Sequence, residues 1–245
     1  MHWESVIVQP TNVQGDELII TGSEAHHLSR VLRKRAGDDL WAIDGKGTSY
    51  RVEIISCQSN RIRCRVLETR RKLGEPAVHV TLAQALLKGE RFDWLVEKAT
   101  EIGVTTIIPF TCDRTVAASS PQKLSRWRRV ASAAVKQSGR SVIPDIGMSK
   151  TFEQILTLGV NCAIRLIAHP GNKALTSLPM ENNRRNATVR ILLVVGPEGG
   201  FTNEEIDQAK DQSFQPVSLG PRRLRGETAG IVLLTSLLFK FNEFG

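Results

Sequence analysis

A change of rhythm near residue 72 constrains this chain more than any other feature. Before it, short segments of alternating character fall at residues 17–20, 39–44, 50–56 and 61–68, the second of them closed by Gly45-Lys46-Gly47. Period-two alternation puts successive side chains on opposite faces of a strand, so this part predicts a small β-barrel or sandwich. One helical interruption is expected over 24–35, with Ser23 as N-cap and Leu28, Val31 and Leu32 on one side. The charged stretch Arg70-Arg71-Lys72-Leu73-Gly74-Glu75-Pro76 ends in a glycine and a proline and reads as a linker. Two domains follow, residues 1–72 and 73–245.

Beyond the linker, strands alternate with helices, the pattern of a parallel sheet covered on both faces. Strands are expected at 78–82, 104–109, 162–168, 190–195 and 216–219. Phe92, Leu95, Val96, Ala99 and Ile102 share helical spacing, with Gly103 as the stop. A second helix opens at Ser120-Pro121, buries Leu124, Trp127, Ala131, Ala134 and Val135, and ends at Gly139. Thr202 and Glu205 form a capping box ahead of a third. The last helix, 228–241, is apolar nearly all round, so it needs cover on most sides, and a dimer interface is one way to supply it.

The formal charge of +8 favours a polyanionic partner. Cys57, Cys64, Cys112 and Cys162 form no C-x-x-C pair and have no histidine at ligand spacing, which argues against a metal site or a disulfide framework and for thiols in a reducing cytosol. No segment has the length of a bilayer span and the start of the chain lacks a basic-then-apolar leader, so a cytoplasmic protein without membrane attachment is expected.

In open parallel sheets ligands bind at the carboxyl ends of strands. Three loops occupy such places: the one at His169, the one at Gly196-Pro197-Glu198-Gly199-Gly200, and the one running from Leu219 and Gly220 through Arg222, Arg223, Leu224 and Arg225 to Glu227. The glycines of the second suit a turn where backbone approaches a ligand, though a tight strand-to-helix turn explains them too, and they match neither dinucleotide nor triphosphate fingerprints. The third sets arginines and a glutamate directly before the most apolar helix, as an anion site or as a structural ion cluster. Arg61, Arg63 and Arg65 share one face of a strand, and the stretch from Arg114 to Arg140 is basic without an acid; both could follow an RNA backbone or be solvated faces. His26, His27 and His79 read as packing or surface residues.

Taken together, Gly196-Pro-Glu-Gly-Gly-Phe201, Leu219-Gly-Pro-Arg-Arg-Leu-Arg-Gly-Glu-Thr-Ala229, Asp93-Trp-Leu-Val-Glu-Lys-Ala-Thr-Glu-Ile-Gly103 and Leu28-Ser-Arg-Val-Leu-Arg33 resemble the RsmE-type 16S ribosomal RNA uridine N3-methyltransferases of the SPOUT class. The resemblance runs through nearly the whole chain. It implies an α/β fold with a knotted SPOUT-type parallel sheet flanked by helices, preceded by a small PUA-like β-barrel that docks RNA. It also implies a homodimer acting on 16S rRNA or the assembled small subunit rather than on DNA, with S-adenosyl-L-methionine as cofactor and no metal.

Carried over by position, the cofactor contacts are His169, Gly196, Pro197, Glu198, Gly199, Gly200, Leu219, Gly220 and Leu224. Arg225 is expected to stabilise the uracil anion or orient the base, and Glu227 to position that arginine or take the proton. RNA contacts are expected from Arg30, Arg33, Arg61, Arg63, Arg65, Arg114 and Arg140. Gly226 departs from the family pattern, which has threonine there. A non-catalytic ribosome-assembly factor and a SPOUT enzyme acting on transfer RNA or ribose oxygens are the alternatives.

Overall fold

The structure, a computed structural model, describes residues 5–171, 174–175 and 188–244. It divides into two compact units, one of residues 5–75 with 132–143, the other of 76–131 with 144–244 as far as they are described. In the first, β1 (Ser5–Ile7), β2 (Val13–Gln14), β3 (Glu17–Thr21), β4 (Asp39–Ile43), β5 (Thr48–Cys57) and β6 (Arg61–Arg71) form one curled sheet in the order β1-β4-β5-β6-β3-β2. Its inward positions, among them Leu18, Ile20, Val52, Ile54, Ile62 and Cys64, make a closed apolar core. Burial pushes the Cys64 thiol up to about 12, and all four cysteines are unbridged.

The helical interruption differs from expectation. A single turn, α1 (Gly22–His26), leads into a π turn over His27–Val31. Thr21, not Ser23, stands at the N-cap, without a side-chain bond. The wider turn breaks the 3.6-residue period, so Leu28 is 1% exposed while Val31, expected on the same side, is 62% exposed. The expected linker is also part of this unit: β6 runs to Arg71, and the Glu75 side chain is buried.

The second unit is the parallel sheet. After β7 (His79–Ala85), α2 (Arg91–Ile102), β8 (Thr106–Thr111) and α3 (Pro121–Ser138) come β9 (Asp145–Ile146), β10 (Lys150–Thr151) and α4 (Phe152–Leu158), then β11 (Ile164–Ala168), β12 (Arg190–Val195), α5 (Asn203–Asp211), β13 (Gln215–Val217) and α6 (Gly226–Lys240). The order is β10-β8-β7-β12-β11-β13, with β9 beside β8, and every pairing is parallel. β12 is buried from Ile191 to Val195, as a strand covered on both faces must be. On one side Phe92 of α2 packs on Trp127 of α3, ring centroids 4.2 Å apart. Phe110, Phe152 and Phe201 cluster elsewhere in the core. Leu233, Leu234, Leu237 and Leu238 of α6 are buried, whereas Phe239 is 71% exposed, so cover on most sides holds for one face of the helix only. Among the described residues no helix is long and apolar enough to cross a membrane, and no group of three His, Cys, Asp or Glu is placed to hold a metal.

The sheet register sets one pH response. His79 pairs with Arg190, and its pKa is lowered by burial first and by that arginine second. His169 is lowered as well, by burial and then by Lys210. A folded state that binds these protons more weakly than the unfolded chain loses stability as pH falls below the ordinary histidine value of about 6.5. Urea midpoints are expected to fall between about pH 7.5 and about pH 5.5, and less so in His79→Gln, because that variant removes one of the two groups.

Candidate functional site

β11 lies between β12 and β13, and all three run the same way, so the loops leaving their carboxyl ends emerge side by side. Together they enclose a cleft of about 490 Å³, within the range of about 300–1,000 Å³ usual for small-molecule sites. Every residue expected to touch a cofactor lines it: His169, Gly196, Pro197, Glu198, Gly199, Gly200, Leu219, Gly220 and Leu224. So do Val195, Phe201, Ser218, Arg222, Arg223 and Gly226, none of which was assigned a cofactor contact.

The loops are held by identifiable contacts. The His169 amide donates to the Val217 carbonyl, tying the first loop to the end of β13. The Phe201 ring stacks on Phe110 and lies where a Cβ on Gly196 would come within 3.0 Å of it, so the second loop is packed down onto the core at both ends. Thr202 and Glu205 cap α5 reciprocally, as expected, and buried Glu205 also accepts the Asp113 amide from the loop after β8. Ser218 Oγ accepts the Gly220 amide at 3.3 Å, and Gly220 sits at φ +104°, a conformation side chains rarely adopt.

That φ gives a direct test. Among the described residues an added Cβ at Gly220 meets nothing within 4 Å, so Gly220→Ala acts through backbone strain of about 1–3 kcal/mol. The dissociation constant of a ligand held by this loop is expected to rise by about tenfold to a hundredfold, read by calorimetry. A change below about twofold would show that this loop does not set ligand backbone contacts.

Arg114 is exposed at the cleft and also holds its second loop. Its Nη1 donates to the carbonyls of Gly199 and Phe201, and its stem packs against Gly199, so it braces the second loop from the cleft side. Arg140 corrects the sequence expectation outright. It is 2% exposed and pairs with Glu75 in the first unit, so it cannot meet an RNA backbone. Arg61, Arg63 and Arg65 do share one exposed face of β6, Arg63 paired to Glu17 and Arg65 to Glu53. Such surface pairs are worth about 0–1 kcal/mol. Arg30 is exposed in the π turn and Arg33 just past it, at φ +54°.

Arg225 and Glu227 do not line the cleft, although their neighbours Leu224 and Gly226 do. Arg225 occupies the N-cap of α6 with an exposed side chain, and among the described residues it has no ion-pair partner. Glu227 is buried, and the arginine near it is Arg91 rather than Arg225. Nothing in the sequence reading picked out Arg91. The signal was its position on the connection after β7, itself the carboxyl end of a parallel strand.

The cleft fits a nucleoside-type methyl donor in its own terms. Glycine backbone at Gly196, Gly199, Gly200 and Gly220 leaves peptide groups accessible, Pro197, Leu219 and Leu224 offer apolar walls, and Glu198 supplies a carboxylate for a cationic group.

Comparison with known proteins gives the same picture. Residues 74–238 match the RNA methyltransferase domain family, and residues 20–67 match the RNA methyltransferase PUA domain family. Ribosomal RNA small subunit methyltransferase E of Synechocystis sp. is 34% identical over 239 residues, covering 95% of this chain and 76% of that protein. The Bacillus subtilis protein of the same name is 29% identical, covering 90% and 89%. Among solved structures, ribosomal RNA small subunit methyltransferase E from Neisseria gonorrhoeae, bound to S-adenosyl methionine, superposes with a TM-score of 0.85 at 26% identity over 98% of each chain. A Legionella pneumophila methyltransferase in complex with the same cofactor gives 0.79 at 29% identity, over 97% of this chain and 96% of that one.

Proposed function

The chain belongs to the ribosomal RNA small subunit methyltransferase E family of RNA methyltransferases, and from that premise we propose that it methylates N3 of a uridine in 16S ribosomal RNA with S-adenosyl-L-methionine. The observation that carries this reading is the convergence of three loops from adjacent parallel strands on one cofactor-sized cleft, with Arg222 and Arg223 also lining it. The chemistry the cofactor brings is a methyl group activated on a sulfonium. What remains for the protein is to hold the base in line, to remove the N3 proton and to stabilise the charge that the base acquires.

In this reading the backbone of the loops at Gly196–Gly200 and Leu219–Gly220 grips the cofactor. Arg225, exposed and unpaired among the described residues at the head of α6, faces the uracil and stabilises the anion at N3 and its flanking carbonyl oxygens. Arg30, Arg33, Arg61, Arg63 and Arg65 carry RNA affinity through phosphate contacts that give no sequence information. Docking is assigned to the first unit and methyl transfer to the parallel-sheet unit. The open face of α6 around Phe239 supports a homodimer. A trefoil knot and a cytoplasmic location are part of the same proposal.

A non-catalytic assembly factor would leave the glycine-lined cleft without a ligand. Purified protein incubated with methyl-labelled cofactor and unmodified small subunits is expected to transfer label to the RNA. Retention of all label in the cofactor, with RNA bound, would favour the assembly factor instead.

A further inference from the structure

Arg91, the first residue of α2, stands on the connection from β7, the strand beside β12 in the sheet. Its guanidinium reaches carboxylates from two different segments. Nη1 donates to Glu198 Oε1 at 3.0 Å, and Nε lies 3.9 Å from Glu227 Oε1. Glu198 lines the cofactor cleft. Glu227 is the second residue of α6, its side chain 11% exposed, and its other oxygen, Oε2, is buried with no hydrogen-bond donor among the described residues. A buried carboxylate left short of donors is costly. The arginine that can relieve it is held at hydrogen-bond distance by Glu198 instead.

We propose that Arg91 is a positioning residue that couples the cofactor loop to the head of the last helix, shifting from Glu198 toward Glu227 when a cationic ligand engages Glu198. The proposal rests on the methyl-transfer reading, because S-adenosylmethionine carries an ammonium and a sulfonium. Arg91 meets the two carboxylates through different nitrogens, Nη1 at 3.0 Å from Glu198 and Nε at 3.9 Å from Glu227, so the guanidinium moves off Glu198 as it comes into hydrogen-bond range of Glu227. When the ligand takes over part of the Glu198 charge, Arg91 moves onto Glu227 and supplies the bond that carboxylate lacks. The head of α6, which carries Arg225 and follows the third loop, is thereby set as the cleft fills. Linkage makes the effect reciprocal. Removing the Glu227 charge leaves Arg91 nothing to gain by leaving Glu198, so the cofactor binds more weakly although Glu227 does not line the cleft.

The test is a binding cycle on the full chain by calorimetry with S-adenosylmethionine. Glu227→Gln is expected to raise the dissociation constant by about five- to tenfold in the presence of Arg91, and by less than about twofold in an Arg91→Ala background. In the protein without cofactor, Arg91→Ala is expected to speed amide exchange of residues 196–201 several-fold, and Arg91→Lys, which keeps one ion pair, to restore part of the protection. Equal effects of Glu227→Gln in both backgrounds, or none in either, would overturn the coupling. If the wild-type protein bound no S-adenosylmethionine, the methyl-transfer reading and the ligand-driven shift would both fall. The exchange measurement would still decide whether Arg91 holds the loop.

Discussion

Arg225→Ala is expected to lower the rate of methyl transfer by about a hundredfold to a thousandfold, the range found when one preorganised donor to a developing anion is removed, while leaving the cofactor dissociation constant within about twofold. The separation follows from where the residue sits. Its side chain makes no N-cap hydrogen bond and does not line the cleft, and the bond from the Ala229 amide runs to its backbone carbonyl, which alanine keeps. Truncation therefore removes charge at the head of α6 without loosening the helix or the cofactor loops. Single-turnover transfer and calorimetry on the same preparation check both halves. A loss of cofactor affinity equal to the loss of rate would mean that Arg225 acts on the ligand rather than on the base. Lysine at this position is expected to recover only part of the rate, since it keeps the charge but not the planar fork.

The largest effect on stability is expected from Glu75→Ala. Arg140 donates to Glu75 through Nε and Nη2, and the amides of Ser141 and Val142 donate to the same carboxylate, with both side chains at or below 5% exposure. Removing the carboxylate takes its ion-pair partner from a buried guanidinium and its acceptor from two amides, a change that costs about 3–5 kcal/mol, a large share of the 5–15 kcal/mol typical of a folded domain. Denaturant unfolding should show the loss, and amide exchange should rise first in residues 139–143. Replacing both partners by apolar residues, Glu75→Leu with Arg140→Met, is expected to recover most of it, since no unpaired charge remains. A loss below about 1 kcal/mol in the single variant would mean that water reaches and solvates Arg140.

The same pair shows where reading the sequence stops. Glu75 lies in a charged, Gly- and Pro-containing stretch, and local chemistry makes such a stretch a solvated linker. Its burial is dictated by a partner 65 positions away, which no local pattern reveals. Arg140 was misread as an RNA contact for the same reason. The π turn at His27–Val31 is a second instance: apolar spacing assumes a constant period, and one widened turn sends Val31 to solvent. β1, β2, β9 and β10 are two or three residues long, too short to carry any period. By contrast, α4 left a signal that went unread, a Thr151–Gln154 capping box with Phe152, Ile155 and Leu156 buried behind it.

The site was legible where topology alone decides it. Parallel strands deliver their following loops to one edge of the sheet, so the loops at His169, Gly196 and Leu219 were identifiable once their strands were. The side-chain links between segments were not. Arg114 bracing Gly199 and Arg91 between Glu198 and Glu227 each join positions more than 80 residues apart; Arg114 was read only as an RNA contact and Arg91 was not singled out.

Incubating the purified protein and S-adenosylmethionine with small ribosomal subunits from cells that lack the modification, then digesting the RNA to nucleosides for mass spectrometry, tests the central claim most directly. The account predicts a new 3-methyluridine peak that is lost with Arg225→Ala. A methylated nucleoside other than 3-methyluridine, or no new nucleoside although the cofactor binds, would contradict it.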